Sequence, residues 1–281
     1  MSAPTVAVTG LTQRHGTSFT LEVERFVSAG GATAILGPNG SGKTTLMRML
    51  ATLTQPQMGS IRVEHLDPGI PVERTAIRRR LGYVAQSDGL PSRMRVSEFC
   101  DYIGALKEIG PDRLRHRWTA WSLDRVGLTD VAGDRIRTLS GGMRRRLSIA
   151  QALLGGPDLL VLDEPLASLD AEQRGEVTRL LAQQAARINV IVATHHADEL
   201  ASVCDQVVVL DSGRMVFVGS PADLAALATG RVWEADAPTD GATCRAVGPG
   251  RFHCVGNSPP PYAEAARPTV ADGYLTLVRH H

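Results

Sequence analysis

The nine residues Gly37-Pro38-Asn39-Gly40-Ser41-Gly42-Lys43-Thr44-Thr45 restrict what this chain can fold into more than any other segment. They fit the spacing G-x-x-x-x-G-K-[ST], and their setting matters as much as their identity. An apolar run at 32–36 leads straight into them, and 43–53 reads as a helix. Strand, glycine-rich turn and helix in that order aim several backbone N–H groups and the positive end of a helix at one point. Such a point binds phosphate. Lys43 is expected to reach the β- and γ-phosphates of a nucleotide, and the Thr44 hydroxyl to occupy one Mg²⁺ position.

A chain of 281 residues with 43% hydrophobic content can bury one sizeable core and a small appendage. A formal net charge of +1 gives no bulk attraction for nucleic acid, and no nucleic-acid partner is expected. Arg78-Arg79-Arg80 and Arg144-Arg145-Arg146 read as solvated faces. Cys100, Cys204, Cys244 and Cys254 follow no metal or redox spacing, so buried or idle thiols in a reducing compartment are expected. The N-terminus does not read as a leader, and no window approaches the roughly 18 apolar residues of a membrane span. The expectation is a cytosolic chain without direct membrane insertion.

Short strand-like runs open the sequence at 5–9, 19–24, 32–36 and 60–64. From about 96 to 155 the apolar period becomes helical, with Phe99, Ile103 and Leu106 on one stripe and Met143, Leu147, Ala150 and Leu154 on another. The wholly apolar runs 159–162 and 190–193 predict strands buried on both faces of a parallel sheet. Asp211-Ser212-Gly213 predicts a hairpin between strands at 206–210 and 214–218. Beyond about 230, short strands at 231–235, 244–247 and 251–255, a stiff segment at 258–261 and a helix at 270–278 suggest a small appended unit without evident chemistry.

Two carboxylates, Asp163 and Glu164, end the run that starts at Leu159. Alternation along a strand sends neighbouring side chains different ways, so the two cannot share one task. Asp163 suits the Mg²⁺ shell, and Glu164 suits polarising or deprotonating an attacking water. His195 ends the next buried strand at the same carboxyl edge, where α/β sheets bind ligands. It is expected to face the γ-phosphate, whereas His196 reads as surface; His280 and His281 are assigned nothing.

These motifs, with Gln86, Leu139-Ser140-Gly141-Gly142-Met143 and Ser168-Leu169-Asp170, occur in the order and spacing of an ABC-type ATPase, which residues 5–225 resemble. The resemblance implies further roles. Gln86 would touch Mg²⁺ and sense the γ-phosphate, and Asp170 would cross to a partner subunit. Ser140, Gly141 and Gly142 would bind the γ-phosphate of ATP held by that partner, so two ATP-binding chains, identical or homologous, would close head to tail around two ATP-Mg. His15 stands where the family usually stacks an aromatic on adenine, and Met143 replaces the usual Gln; both are expected to weaken their contacts. Leu166 stands where a Thr is common.

The fold implied is α/β: a P-loop NTPase core with a RecA-like parallel sheet and an N-terminal antiparallel β subdomain. Residues 1–229 would form the ATPase domain, with a helical subdomain at about 90–157, and 230–281 a small α+β extension. The activity implied is ATP hydrolysis coupled to a separate membrane permease, at the inner face of the cell membrane. The sequences at 139–147 and 267–275 resemble the drug- and antibiotic-exporting branch; an importer subunit, or a soluble ATPase without a transport role, is the alternative.

Overall fold

The computed structural model describes residues 5–16, 19–87, 89–195 and 197–278; His196, His280 and His281 lie outside them. Its centre is built by the two-residue period of its buried strands. Leu160 and Leu162 of β6 (Leu159–Asp163) share one apolar cluster with Val190 and Val192 of β7 (Asn189–Ala193). Leu159, Val161, Ile191 and Ala193 belong to a second cluster. Alternate residues therefore feed opposite faces of one sheet, which is why both strands are apolar throughout.

That sheet has nine strands. Five run parallel: β8 (Gln206–Asp211), β3 (Gly31–Leu36), β7, β6 and β5 (Leu81–Val84), side by side in that order. On the far side β9 (Arg214–Gly219) pairs antiparallel with β8 across the expected turn. Then come β2 (Phe19–Ser28), β1 (Val6–His15) and β4 (Met58–Val63), with β1 antiparallel to both of its neighbours. The sheet is thus mixed, a P-loop NTPase fold with an antiparallel N-terminal region.

Helix α1 (Lys43–Leu50) buries Leu46, Met47, Met49 and Leu50 against one face, with Ile77 of α2 (Pro71–Arg80) in the same cluster. The opposite face is covered by α5 (Gly141–Leu153) and α6 (Ala171–Ala185), through Leu147, Ile149, Ala150, Val177, Leu180 and Leu181. Between β5 and α5 stand α3 (Val96–Leu106) and α4 (Asp112–Arg125), the expected helical stretch.

The arginine runs are solvated faces only in part: Arg78 and Arg79 are exposed, yet most of these guanidinium groups are held by protein acceptors. Arg78 donates to the hydroxyl and carbonyl of Thr52, and Arg80 pairs with Asp158 and Glu64. Arg144 donates to the Leu139 carbonyl, Arg146 to that of Val126, and Arg145 is only 2% exposed. Composition cannot distinguish a guanidinium in water from one that caps carbonyls at the end of an element.

After α7 (Ala197–Ala201) and α8 (Pro221–Ala226), a second sheet of four strands forms, in the order β11 (Thr243–Gly248), β12 (Arg251–Val255), β10 (Val232–Ala235), β13 (Glu264–Ala265). Helix α9 (Val270–Val278) returns to pack on α7 and α8. The cysteine expectation is half corrected here. Cys100 and Cys204 are buried free thiols, with burial pushing both up to about 12. Cys244 and Cys254 instead lie opposite each other in the β11–β12 register and form a disulfide. Their separation of ten positions in the sequence gave no hint of that register.

Candidate functional site

The parallel strands deliver their C-terminal ends side by side, and each end carries one part of a site. β3 runs into Gly37–Thr45, β7 into Thr194 and His195, β6 into Asp163 and Glu164, and β5 into Ala85 and Gln86. Adjacent strands lie about 4.8 Å apart, so groups distant in sequence fall within a nucleotide's length. The phosphate turn then needs a tight reversal before α1. Gly42 makes it at φ 103°, a backbone angle closed to side-chain-bearing residues at ordinary cost.

A cleft of about 650 Å³ opens there, lined by His15, Phe19, Asn39–Thr45, Gln86, Asp163 and Glu164. Lys43 is 7% exposed and donates from Nζ to the carbonyls of Gly37 (2.6 Å) and Pro38 (3.1 Å). Burial pulls its ammonium below the ordinary lysine range, and the nearby charges of Glu164 and Asp163 oppose that. Its charge sits where phosphate oxygens would arrive, at low cost in reorganisation.

Asp163 is fully buried, and neither of its carboxylate oxygens makes a hydrogen bond among the described residues. Burial pushes the carboxyl above the usual range and the Glu164 charge adds to this, while the charges of Lys43 and Arg145 lower it. A buried carboxylate left without donors is costly unless something else satisfies it. The Thr44 hydroxyl donates to Gln86 Oε1 at 3.4 Å. Thr44, Gln86 and Asp163 together offer oxygen donors, the chemistry Mg²⁺ prefers, and the orphaned carboxylate fits that ion.

Glu164 leaves the strand with φ 53°, while its N–H still donates to the Ala193 carbonyl of β7 at 2.9 Å. This left-handed backbone costs about 1–2 kcal/mol for a residue with a Cβ. It rotates Glu164 out of the strand's alternation and into the cleft. The His195 Nδ1–H donates to Glu164 Oε2 at 2.9 Å; the Glu164 side chain is 9% exposed and that of His195 58%. A proton on Nδ1 fixes the tautomer of the ring and its orientation towards Glu164.

At the other end of the cleft, His15 closes β1 with Nε2 3.3 Å from the Thr45 hydroxyl. Phe19 lies beside it, ring centroids 6.3 Å apart and planes at 39°. Phe19 was missed by sequence reasoning. It reaches the cleft only because β1 and β2 pair so that His15 faces Phe19 across the hairpin.

Seven expected site residues do not line this cleft: Gly37 and Pro38, whose carbonyls hold Lys43, His195, which is bonded to Glu164, and the four residues Ser140, Gly141, Gly142 and Asp170. Ser140 caps α5, accepting from the Met143 N–H at 3.2 Å, and Asp170 caps α6, accepting from the Gln173 N–H at 2.9 Å. Gly141 opens α5, and Gly142 packs against Gln173, where a Cβ would come 2.5 Å from the amide oxygen. The two capped helix starts lie outside the set of residues that surround Lys43. Leu166, also singled out, is buried in the core.

A phosphate turn backed by a buried lysine, an orphaned aspartate and a glutamate held by histidine defines a P-loop nucleotide hydrolase. Comparison with known proteins gives the family. Residues 22–167 match the family described as ABC transporter. The chain is 36% identical over 225 residues to the Nod factor export ATP-binding protein I of Ralstonia nicotianae, covering 79% of this chain and 69% of that protein. It is 34% identical to the daunorubicin resistance ATP-binding protein DrrA3 of Streptomyces coeruleorubidus (80% and 71% covered). Against the molybdenum import ATP-binding protein ModC of Albidiferax ferrireducens the identity is 37%, but only 56% of that relative is spanned. Among solved structures, the dimeric MJ0796, a bacterial ABC transporter cassette, superposes with a TM-score of 0.71 at 22% identity, covering 76% of this chain and 98% of that one. CbiO1 from Clostridium perfringens, part of the ABC transporter complex cbiONQ, gives 0.69 at 28% identity, with 79% and 90% covered. The chain belongs to the ABC transporter ATP-binding family, and it is an ATPase subunit.

Proposed function

We propose that this chain hydrolyses ATP with Glu164 as general base, and that it does so to drive export through a separate membrane permease. The contact between Glu164 and His195 carries the catalytic part. A carboxylate at the mouth of a phosphate site, buried and fixed by an imidazole, is positioned to take a proton from water attacking in line with the γ-phosphate. Lys43 and the turn N–H groups of Gly37–Thr45 hold the phosphates. Gln86 lines the same cleft and would sense the γ-phosphate, while His195 would act beside the transferred group through its bond to Glu164. His15, with Phe19, forms the surface for the base. Thr44, Gln86 and Asp163 would hold Mg²⁺, which neutralises charge on the β- and γ-phosphates when bound.

Ser140, Gly141, Gly142 and Asp170 lie outside this cleft, and that supports a site completed by a second ATP-binding chain, identical or homologous. In this reading ATP closes the pair and hydrolysis releases it. Residues 1–229 form the ATPase domain and 230–281 an extension. Among the described residues no helix is long and apolar enough to cross a membrane, which suits a subunit carried at the cytoplasmic face by its permease. Export of an amphiphilic drug, antibiotic or lipid-like compound follows the Nod factor and daunorubicin relatives. Import is the second reading, supported by the ModC relatives at similar identity.

Glu164→Gln tests the catalytic assignment. It is expected to lower the rate of ATP hydrolysis by at least about a hundredfold and leave nucleotide affinity intact; a rate near wild type refutes it. Direction is read from inside-out vesicles carrying the chain with its permease. ATP-driven uptake of an amphiphile supports export, and uptake dependent on an external solute-binding protein in right-side-out vesicles supports import.

A further inference from the structure

Arg145 is the most deeply buried member of the two arginine runs. It lies in the second turn of α5, the helix that begins at Ser140 and Gly141. Its guanidinium spreads across three carbonyls from two other strands. Nη1 donates to Ala85 at 2.6 Å, the residue before Gln86. Nη2 donates to both Asp163 and Glu164. One side chain therefore ties the helix of the Ser-Gly-Gly turn to the ends of β5 and β6.

The position of those carbonyls makes this more than filling. The Glu164 carbonyl belongs to a residue in the left-handed region, a conformation that persists only where surrounding bonds over-determine it. The Glu164 N–H is held by Ala193 on one side, and its carbonyl is shared between the Ala167 N–H and Arg145 on the other. A planar fork with fixed donor directions suits this three-point span, and a lysine ammonium does not reproduce it. Gln151, two turns further along α5, adds a parallel bond from its amide to the Tyr83 carbonyl at 2.7 Å.

We infer that Arg145 is a positioning residue for ATP hydrolysis: through the Asp163, Glu164 and Ala85 carbonyls it holds the catalytic glutamate and the Gln86 loop to the helix that starts at Ser140. The inference rests on the reading of Glu164 as the general base. A shift of α5 as its N-terminal end meets a partner's nucleotide would then be transmitted to Glu164 and Gln86 of the same chain. Arg145 itself does not line the cleft around Lys43.

The test compares Arg145→Lys and Arg145→Met with Glu164→Gln, using ATP hydrolysis at saturating and limiting ATP. Rates are expressed per nucleotide-binding site counted with a fluorescent ATP analogue, so that unfolded protein does not register as lost turnover. The expected result is a kcat about tenfold lower for Arg145→Lys, with KM and analogue affinity within about twofold of wild type. Arg145→Met should fall further, by about a hundredfold; if it fails to fold, Arg145→Lys alone decides. A per-site kcat within about twofold of wild type in Arg145→Lys overturns the inference. So does a change in KM and analogue affinity as large as that in kcat, the signature of a general prop. If Glu164→Gln itself keeps the wild-type rate, the failure belongs to the assignment of the base; if it is inactive while Arg145→Lys is normal, only the positioning role falls.

Discussion

The C-terminal edge of the large sheet and the interior of the small C-terminal unit treat buried polar groups in opposite ways. At the edge, the buried Asp163 carboxylate lacks hydrogen bonds among the described residues, and Glu164 holds a costly backbone angle. In the small unit, Asp272 is 1% exposed, and both of its oxygens accept from His253 Nε2–H, at 3.0 and 2.9 Å. The Thr269 N–H adds a third bond to it, and a disulfide staples β11 to β12. The first region leaves a carboxylate open for a ligand; the second satisfies its buried carboxylate from within. Of these two buried carboxylates, the unsatisfied one lies at the nucleotide cleft and the satisfied one in scaffolding.

The largest expected effect that tests this contrast lies in the scaffold. Gly273 sits so close to α8 that a Cβ would come 1.8 Å from the Leu224 carbonyl oxygen. Gly273→Ala must push α9 away from α8, at a cost of about 3 kcal/mol of unfolding free energy in denaturant titration. Nucleotide affinity at the distant cleft should change by less than about twofold. A loss of affinity as large as the loss of stability would dissolve the distinction between the two regions.

A slightly smaller effect is expected of the disulfide. Closing the loop between Cys244 and Cys254, ten residues apart, contributes about 2–3 kcal/mol on the chain-entropy account. The double variant Cys244→Ser/Cys254→Ser should lose that much in denaturant unfolding, and a dithiol reductant should lower wild type to match. Equal stability of wild type with and without reductant would remove the staple from the argument.

The smallest effect has the opposite sign. Folding raises the Asp163 carboxyl above its usual range, chiefly through burial, so the folded chain binds that proton more readily than the unfolded chain. The ionised carboxylate therefore destabilises the fold above that raised value, and the penalty fades in acid. Asp163→Asn should melt a few degrees higher than wild type near neutral pH without nucleotide or divalent cation, by about 1 kcal/mol, while losing ATP hydrolysis. The gain should shrink as pH falls through the carboxylate range. A variant less stable than wild type at neutral pH would show that Asp163 is satisfied after all.

Much of the site was legible because its parts are local. The turn at Gly37–Thr45, the carboxylates at a strand end and His195 after an apolar run are each read within a few residues, and the structure gathers the turn, Asp163 and Glu164 around one cleft with His195 bonded to Glu164. Strand β12 and helix α9 also fall where the patterning put them. Phe19, the Cys244–Cys254 bond and the inward turn of Arg145 were not legible, and all three fail for one reason. Each depends on which residue lies opposite across a hairpin, or which face of a helix meets a strand end, and sequence period gives faces without giving neighbours.

The order of motifs and the two-residue alternation of the buried strands, both contained in the sequence, determined the phosphate turn, the class of fold and the carboxylates that work there. Only the tertiary structure decided that an arginine from a basic run reaches three carbonyls across two strands, and that two scattered cysteines face each other. The reason is physical: local chemistry is written along the chain, whereas register and packing are set by contacts between segments that the chain keeps far apart.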